Sequence, residues 1–313
     1  MTGGRRGPVG ALAVAAAAVA TMVARAAPQQ PVFRGAVDSI ELNVAVVAGA
    51  RPVAGLTIYD FEVTDNGVPQ PVTSVSREQL PIDVTLVIDT SGSITTDLAD
   101  AIVSAVNKIR GRLRSEDRIS LVTFNQGIHE RIALSPTATA RPAALGRTTG
   151  WTSLNDAIAV TLTTPPPVDR RQMAIVFTDG YDTMSFLDEA AVLDAAGRCR
   201  TAVFVVARPQ VSASTPKAFF DRLADVTGGG VQIVPSTFMQ VDAPNPGSMH
   251  ITFRPNDDLL DASFIKALED FRTSYVVRYT LTGVPRPGWH DVTVKVTKPG
   301  KKYDVRTRKG YQG

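Results

Sequence analysis

The stretch Val84-Thr-Leu-Val-Ile-Asp-Thr-Ser-Gly-Ser93 decides the fold of this 313-residue chain. It opens with a nearly unbroken apolar run, which is typical of a strand covered on both faces of a sheet. It ends with three oxygen-bearing side chains, Asp89, Ser91 and Ser93, at the point where the strand stops. A helix is predicted next, because apolar residues then recur at helical spacing, at Leu98, Ile102, Val106, Ile109 and Leu113.

The same alternation of buried strand and amphipathic helix continues along the chain. Further buried strands are predicted at Ile119–Phe124, Met173–Phe177 and Thr201–Val206. Further helices are predicted at Ser153–Leu162, after a cap at Ser185, at Pro216–Val226 and at Asp261–Arg272. This rhythm predicts the α/β class, with a doubly wound and mostly parallel sheet covered by helices on both faces. Segment 236–260 shows no clear period and is predicted to be a loop.

Residues 27–79 and 273–313 have a different pattern, in which apolar residues recur at every second position. Val44 and Val46 show it in the first segment, and Val292 and Val294 show it in the second. A period of two predicts half-buried strands. Neither segment is long enough to bury a core alone. We therefore expect the two segments to pair into one flanking antiparallel β unit beside an α/β domain at 80–272.

Residues 1–26 have the features of a secretory signal peptide. Arg5 and Arg6 precede an apolar run from Val9 to Ala24, and Ala24-Arg-Ala26 matches a small-x-small cleavage site. A membrane anchor is the alternative, but the apolar run is shorter than the roughly 20 residues that a spanning helix needs. We expect no transmembrane segment after cleavage, and a mature protein that is secreted, periplasmic or held at the cell surface.

Charge and cysteine content exclude two further classes of protein. Residues 1–26 hold three arginines and no acidic residue, so the rest of the chain has 30 Lys and Arg against 30 Asp and Glu. A balanced charge does not favour nucleic acid as a partner. Cys199 has no second cysteine to pair with, which excludes a disulfide framework. A lone thiol in an oxidising compartment is safest when buried.

Polar loops follow or precede the predicted strands at positions where ligands bind in α/β sheets. Asp89, Ser91 and Ser93 come after one strand, and Asp179 comes directly after Met173–Phe177 and Thr178. Because ligands bind outside the carboxyl ends of parallel strands, these side chains belong to one edge. Thr152, in the loop that opens a helix, adds a third group. Two carboxylates and several hydroxyls are hard ligands, which favours Mg²⁺ or Mn²⁺ over zinc.

These residues resemble the metal-ion-dependent adhesion site of von Willebrand factor type A domains. The match lies in Ile88-Asp-Thr-Ser-Gly-Ser93, Gly150-Trp-Thr-Ser-Leu154 and Phe177-Thr-Asp-Gly180, in the order and spacing of the family. The flanks Leu56-Thr-Ile-Tyr-Asp-Phe-Glu-Val-Thr-Asp-Asn-Gly67 and Arg306-Thr-Arg-Lys-Gly-Tyr311 resemble the VWFA-related proteins of acidobacteria. The resemblance therefore covers nearly the whole mature chain.

The resemblance implies a role for each of the five residues. Ser91 and Ser93 would bind the metal directly, and Thr152 would bind it directly or through water. Asp89 and Asp179 would hold metal-bound waters or bind directly in one state. With few anionic ligands the metal stays electron-poor, so an open position can accept an Asp or Glu carboxylate from a partner protein.

The resemblance also suggests which neighbouring residues touch that partner. Trp151, Gly92 and Tyr181 lie beside the metal loops and are candidate partner contacts. For Trp151 a packing role is an equal alternative. Asp182 has two interpretations, as a contact to a second ion or, preferably, as a residue that faces solvent or stabilises the loop before Ser185.

Three other hypotheses compete with metal-dependent adhesion. Asp89 and Ser91 could cap the following helix, but capping does not explain Thr152 and Asp179. An envelope protein whose metal only stiffens the loops is the structural alternative. A metal-dependent hydrolase is the enzymatic alternative, and the motif lacks a general base, so we expect no catalysis. The expected function is Mg²⁺-dependent recognition of a partner protein.

Overall fold

The computed structural model describes Met1 and residues 39–77, 80–140, 144–163, 169–179, 181–208, 216–234, 239–245, 248–253 and 257–313. The predicted signal peptide, 1–26, lies outside the described residues. The described strands, in chain order, are β1 (Ser39–Ala48), β2 (Arg51–Pro52), β3 (Phe61–Asp65), β4 (Val68–Gln70), β5 (Val72–Ser76), β6 (Ile82–Asp89), β7 (Arg118–Phe124), β8 (Ile128–Pro136), β9 (Arg171–Thr178), β10 (Ala202–Ala207), β11 (Gly230–Ile233), β12 (Met239–Asn245), β13 (Ser248–Phe253), β14 (Tyr275–Thr280), β15 (Trp289–Val296), β16 (Asp304–Arg306) and β17 (Gly310–Gln312). The described helices are α1 (Thr96–Arg110), α2 (Leu154–Leu162), α3 (Glu189–Arg198), α4 (Pro216–Thr227) and α5 (Asp257–Arg272).

A six-stranded sheet with the order β11-β10-β9-β6-β7-β8 forms the centre of the α/β part. Neighbouring strands are parallel except for β7 and β8, which are antiparallel. Every side chain of β9 and β10 is buried, because helices cover both faces of these central strands. The predicted doubly wound, mostly parallel sheet is confirmed.

Helices on the two faces of the sheet enclose two separate cores. On one face α1 and α5 pack together, and Ile102 and Phe264 are completely buried there. On the other face α2, α3 and α4 contribute residues such as Ile158, Val192 and Leu223. The predicted helices are all present, with α5 beginning earlier than expected, at Asp257.

The predicted cap at Ser185 is wrong. Helix α3 begins at Glu189, and its cap is Asp188, whose side chain accepts a hydrogen bond from the amide of Ala191 at 2.8 Å. Ser185 lies in the preceding loop and bonds to residues of that loop and of α2 instead. A serine and an aspartate three residues apart are both good caps, and long-range contacts decide between them.

The loop predicted for 236–260 is also wrong. Its described residues include the antiparallel pair of β12 and β13 and the first turn of α5. Residues 235–238, 246–247 and 254–256 lie outside the description. Apolar residues do alternate in Met249-His-Ile-Thr-Phe253, but the preceding sequence Pro244-Asn-Pro-Gly247 interrupts the pattern. The register of the pair shifts between Asp242 and Asn245, where a proline cannot donate to the ladder.

The two flanks build an antiparallel β-sandwich, which confirms the expected β unit. One sheet has the order β16-β1-β14-β5 with β2 beside β1, and the other has the order β17-β15-β3-β4. Each sheet thus combines strands from both ends of the chain. Asn66 and Gly67 both have positive φ in the hairpin between β3 and β4, as a two-residue turn requires. Alternate side chains such as Leu42, Val63 and Val277 fill the core between the sheets.

Two arginines join the sandwich to the α/β part, Arg171, which is buried, and Arg308, which is half-buried. Arg171, at the start of β9, donates to the carbonyl of Phe271 at 2.8 Å and to Asn43 of β1 at 3.0 Å. Arg308 donates to the carbonyls of Gly197 and Cys199, both at 3.0 Å, at the carboxyl end of α3. A cation is favourable there, because the last carbonyls of a helix carry partial negative charge. Burial raises the pKa of the Cys199 thiol.

Candidate functional site

Three loops meet at the edge of the sheet where the parallel strands end. They are the first loop (90–95, after β6), the second loop (149–153, before α2) and the third loop (179 and 181–188, after β9). The amide of Gly92 donates to the carbonyl of Gly150 at 3.0 Å, which joins the first loop to the second. The amide of Thr183 donates to the carbonyl of Thr152 at 2.9 Å, which joins the second to the third. Gly180 lies outside the described residues.

A chain of hydrogen bonds runs from the buried end of β6 to the surface. The Oδ1 atom of Asp89 accepts from the amide of Ser91 at 2.9 Å, and its Oδ2 atom accepts from the hydroxyl of Thr178 at 2.8 Å. The hydroxyls of Ser91 and Ser93 share a hydrogen bond of 3.0 Å. Ser93 then donates to Oδ1 of Asp179 at 2.9 Å. Four of the five predicted metal ligands are therefore connected side by side.

Burial disfavours the ionised form of the two carboxylates in this chain of hydrogen bonds, Asp89 and Asp179. Desolvation raises the pKa of Asp89, which is completely buried, against the opposing hydrogen bonds from Ser91 and Thr178. Desolvation also raises the pKa of Asp179, although the nearby charge of Arg208 opposes the shift. The charge of each carboxylate raises the energy of the other, so a cation between them would be stabilised.

The spacing of the oxygens fits a small divalent cation. Neighbouring ligands of an octahedral Mg²⁺ ion, bound at 2.0–2.1 Å, lie about 3.0 Å apart. The Ser91–Ser93 and Ser93–Asp179 oxygen pairs, at 3.0 and 2.9 Å, have this separation. Within the described ranges no three His, Cys, Asp or Glu residues cluster as a zinc site would need. The donor set of hydroxyls and two carboxylates therefore fits Mg²⁺ or Mn²⁺.

Thr152 is the fifth predicted ligand, and backbone bonds on both sides hold it at the same edge. Its amide is fixed in position, because it donates a hydrogen bond to the hydroxyl of Thr183 at 2.9 Å. The next amide, of Ser153, donates to the carbonyl of Asn125 at 2.8 Å. Gly150 has a φ of +81°, and a Cβ atom there would lie 2.1 Å from the side chain of Gln126. The second loop therefore requires glycine at this position.

The three predicted partner contacts differ in exposure. Trp151 is 65% exposed, so the packing alternative for this side chain is not what the structure has. Gly92 is exposed, and a Cβ atom on it would come within 3.3 Å of the carbonyl oxygen of Gly150. Tyr181 is half-buried in the third loop.

A reciprocal set of bonds between the third loop and α2 could not be read from the sequence. Asp182 accepts from the amide of Asn155 at 2.8 Å and from the hydroxyl of Ser185, while Ser185 accepts from the amide of Asp156 at 3.0 Å. Asp156 in return accepts from the amides of Phe186 and Leu187, both at 3.0 Å. The first amides of α2 are thus capped from another loop. These contacts agree with the loop-stabilising reading of Asp182.

Comparison with known proteins decides the family. A sequence model of the von Willebrand factor type A domain matches residues 83–242, which is more than half of the chain. The chain belongs to the von Willebrand factor type A domain family. The match includes every predicted metal ligand, and the predicted resemblance to type A domains is confirmed. No curated protein matches the chain.

Several solved structures are similar to the chain at low sequence identity. A von Willebrand factor type A protein from Catenulispora acidiphila has 13% identity and a TM-score of 0.48, with 87% of this chain and 74% of that chain covered. The ArnB paralog VWA2 from Sulfolobus acidocaldarius has 12% identity and a TM-score of 0.46, with 87% and 75% covered. An aerotolerance-related membrane protein from Bacteroides fragilis has 12% identity and a TM-score of 0.41, with 61% and 98% covered.

Membership of the family gives a coarse function. Type A domains generally serve protein–protein interaction and adhesion, commonly bind a divalent metal at this edge, and are generally not enzymes. None of the three histidines, His129, His250 and His290, belongs to the three loops. In the part of the chain that is described, no helix is long and apolar enough to cross a membrane.

Proposed function

We propose that the chain binds Mg²⁺ or Mn²⁺ at the edge formed by the three loops, and that the bound metal captures a carboxylate of a partner protein. The observation that carries the proposal is the chain of hydrogen bonds from Asp89 through Ser91 and Ser93 to Asp179. Thr152 would complete the protein ligands from the second loop. With the signal peptide predicted at 1–26, we propose that this work takes place outside the cytoplasm, at the cell surface, in the periplasm or in the medium.

The side chains divide the work of holding a cation. Ser91 and Ser93 would supply hydroxyl oxygens directly, since a hydroxyl can turn its hydrogen away and offer a lone pair. Thr178 would keep its bond to Asp89, so that this carboxylate stays oriented while its charge balances the cation. Asp179 is less buried and lies at the surface end of the chain of hydrogen bonds.

Low formal charge is what leaves such a metal able to bind a partner. Hydroxyls donate less electron density than carboxylates, so a cation held by Ser91, Ser93 and Thr152 keeps much of its affinity for an anion. A partner's Asp or Glu would then supply the missing anionic oxygen. Neither a histidine nor another group placed as a general base lies among these ligands, which favours binding over hydrolysis.

Titration calorimetry with Mg²⁺ and Mn²⁺ tests the metal part of the proposal. We expect the unaltered chain to bind one ion, and Asp89→Ala and Thr152→Ala to lose the binding heat while remaining folded by circular dichroism. Asp100→Ala is the matched control, because Asp100 is an exposed aspartate on the neighbouring helix α1. Absence of metal binding in the unaltered chain would sink the proposal in its present form.

The structural alternative, in which the metal only stiffens the loops, is separated by partner capture. A pull-down with the unaltered chain in Mg²⁺ should retain a partner that EDTA releases and that Asp89→Ala does not retain. A Mg²⁺ concentration of 100 times its Kd would add about 2.7 kcal/mol to the free energy of unfolding under either hypothesis. Only the adhesion reading predicts release by EDTA, so partner binding that is unchanged in EDTA favours the structural one.

A further inference from the structure

Large apolar side chains stand exposed around the candidate metal edge. Trp151 of the second loop is 65% exposed, and Met184 and Phe186 of the third loop are 51% and 99% exposed. We call these three residues the apolar rim. Single exposed apolar residues need no explanation, but several in two adjoining loops mark a binding surface.

Backbone bonds place the apolar rim directly beside the predicted ligand Thr152. The carbonyl of Thr152 accepts from the amide of Met184 at 3.1 Å, and Trp151 precedes Thr152 in the chain. Phe186 follows Met184 by two residues, so their Cα atoms are at most about 7 Å apart. The rim residues and the predicted ligand Thr152 therefore lie on adjoining segments of the same edge.

Hydrogen bonds fix the backbone of the third loop at Phe186, whose side chain is exposed. The amides of Phe186 and Leu187 both donate to the carboxylate of Asp156 at 3.0 Å. The amide of Ser185 donates to Asp182 at 3.0 Å. With consecutive amides fixed by carboxylates, the exposed ring is part of a preorganised surface, which lowers the entropy lost when a partner binds.

We propose that the partner presents its carboxylate beside a large apolar side chain, and that the apolar rim packs on that side chain. The inference rests on the proposed function, because the carboxylate is the group that the metal would take. Charge agrees with this proposal: a metal ion held by these oxygens would attract the carboxylate, and apolar groups beside it would exclude water. Exclusion of water strengthens the metal–carboxylate interaction, as apolar surroundings do at interface hot spots.

A protein segment fits this surface better than a lipid bilayer does. The centre of the surface is lined by Ser93 and Asp179, and a hydrocarbon core would leave these polar groups without partners. The occupant is therefore a chain that carries an anion and an apolar residue together, such as a loop with an Asp next to a Phe or Leu.

Three labelled peptides test the inference by fluorescence polarisation with the full chain in Mg²⁺. They are Gly-Phe-Asp-Leu-Gly, Gly-Gly-Asp-Gly-Gly and Gly-Phe-Asn-Leu-Gly. We expect the first to bind about tenfold tighter than the second, in line with one good apolar contact. The third, which lacks the carboxylate, should not bind, and EDTA should release the first.

Substitutions in the rim should remove the preference without touching the metal. Trp151→Ser and Phe186→Ser should reduce binding of Gly-Phe-Asp-Leu-Gly to the level of the glycine peptide, with an unchanged heat of Mg²⁺ binding. Tyr59→Ser is the matched control, because Tyr59 is 87% exposed on a distant part of the sandwich. Phe186 is fully exposed, so its removal leaves the fold intact, which a thermal melt checks.

The outcomes separate this inference from the proposed function. Mg²⁺ binding with equal affinity for the first two peptides, or with binding to neither, would overturn the inference and leave the metal site standing. Absence of Mg²⁺ binding would overturn both. Sedimentation that shows a dimer dispersed by Phe186→Ser, or binding to phosphatidylcholine vesicles lost in that variant, would assign the rim to another occupant and overturn the inference.

Discussion

Asp89 and Asp65 are both completely buried, but their surroundings differ in one decisive way. Asp65, in the sandwich, accepts from the hydroxyls of Tyr279 and Tyr311 at 2.6 and 3.0 Å, and His290 lies 2.7 Å from its other oxygen. All three partners are buried side chains on strands. The polar cluster of Asp65, His290, Tyr279 and Tyr311 is therefore closed on itself, and we call it the closed cluster.

The cluster at Asp89 is open by contrast. The hydroxyls of Ser91 and Ser93 lie on a loop, and the chain of hydrogen bonds passes through Ser93, which is exposed, to the half-buried Asp179. A serine hydroxyl can exchange its bond to another serine for a bond to a metal, because it is both donor and acceptor. The buried rings of the closed cluster, which are packed between two sheets, cannot make such an exchange. The comparison shows that carboxylates with hydroxyl partners can mark either a structural centre or a binding site, and access to solvent distinguishes them.

The closed cluster should respond far more strongly to loss of its carboxylate than the open one. Asp65→Ala leaves a buried histidine and two tyrosine hydroxyls without their acceptor, so we expect a loss of about 3–5 kcal/mol in the free energy of unfolding. Asp89→Ala, without metal, removes bonds from one amide and one hydroxyl, and the loss should be about 1–3 kcal/mol. Urea denaturation of both variants in EDTA measures the difference. Equal losses of unfolding free energy would show that the two clusters contribute equally to the stability of the fold.

Alkaline pH should break the closed cluster and spare the open one. Burial, together with the carboxylate of Asp65, raises the pKa of Tyr311 to about 12, and the pKa of Tyr279 is raised for the same reasons. A raised pKa means that the fold favours the protonated hydroxyl. This stabilisation is complete below the unfolded value of about 10 and is lost as the pH rises through about 12.

We therefore expect the free energy of unfolding to fall between about pH 10 and pH 12. Tyr311→Phe should lose about 1.5–3 kcal/mol at neutral pH, as for a hydrogen bond to a charged group, and should then fall less steeply with pH. Asp89→Ala should keep the alkaline dependence of the unaltered chain. Urea denaturation at several pH values tests this prediction. If the unfolding free energy of Tyr311→Phe falls with pH in parallel with that of the unaltered chain, the prediction is refuted.

Local signals explain why the open cluster could be predicted from the sequence and the closed one could not. Asp89, Ser91 and Ser93 follow an apolar strand directly, and strand ends of a parallel sheet share an edge, so a few residues reveal the site. The partners of Asp65 lie 214, 225 and 246 positions away in the chain, and no short pattern links them. The pairing of the two flanks was predictable from their length and period, but the polar contacts between their strands were not.

Some elements were missed for equally physical reasons. Strand β8 is the antiparallel edge of the central sheet, and its exposed His129, Glu130 and Arg131 hide any apolar alternation. Charged residues at such an edge prevent pairing with other chains, and the same charges blur the pattern that predicts a strand. The hydrogen bonds between Asp156 and the third loop could not be predicted from the sequence, because they join residues about 30 positions apart.

Asp182 gives the smallest of the expected effects and tests how the open cluster is held in place. Asp182→Ala leaves the amides of Asn155 and Ser185 without their acceptor, which for a helix-capping group corresponds to about 1 kcal/mol. The third loop, which carries Asp179 and Thr183, should then position the metal ligands less well, and Mg²⁺ affinity should fall severalfold. Asp182→Asn is the matched variant, because its amide oxygen can still accept these bonds.

The stoichiometry of metal binding separates the two readings of Asp182. If this residue only stabilises its loop, calorimetry should give one ion for the unaltered chain, for Asp182→Asn and, with weaker affinity, for Asp182→Ala. If it contacts a second ion, the unaltered chain should bind two ions, and both variants should bind one. Its bonds to Asn155 and Ser185 engage both carboxylate oxygens, which leaves few lone pairs for a cation and favours the first result. The open cluster would then have a single metal, supported by a carboxylate that never touches it.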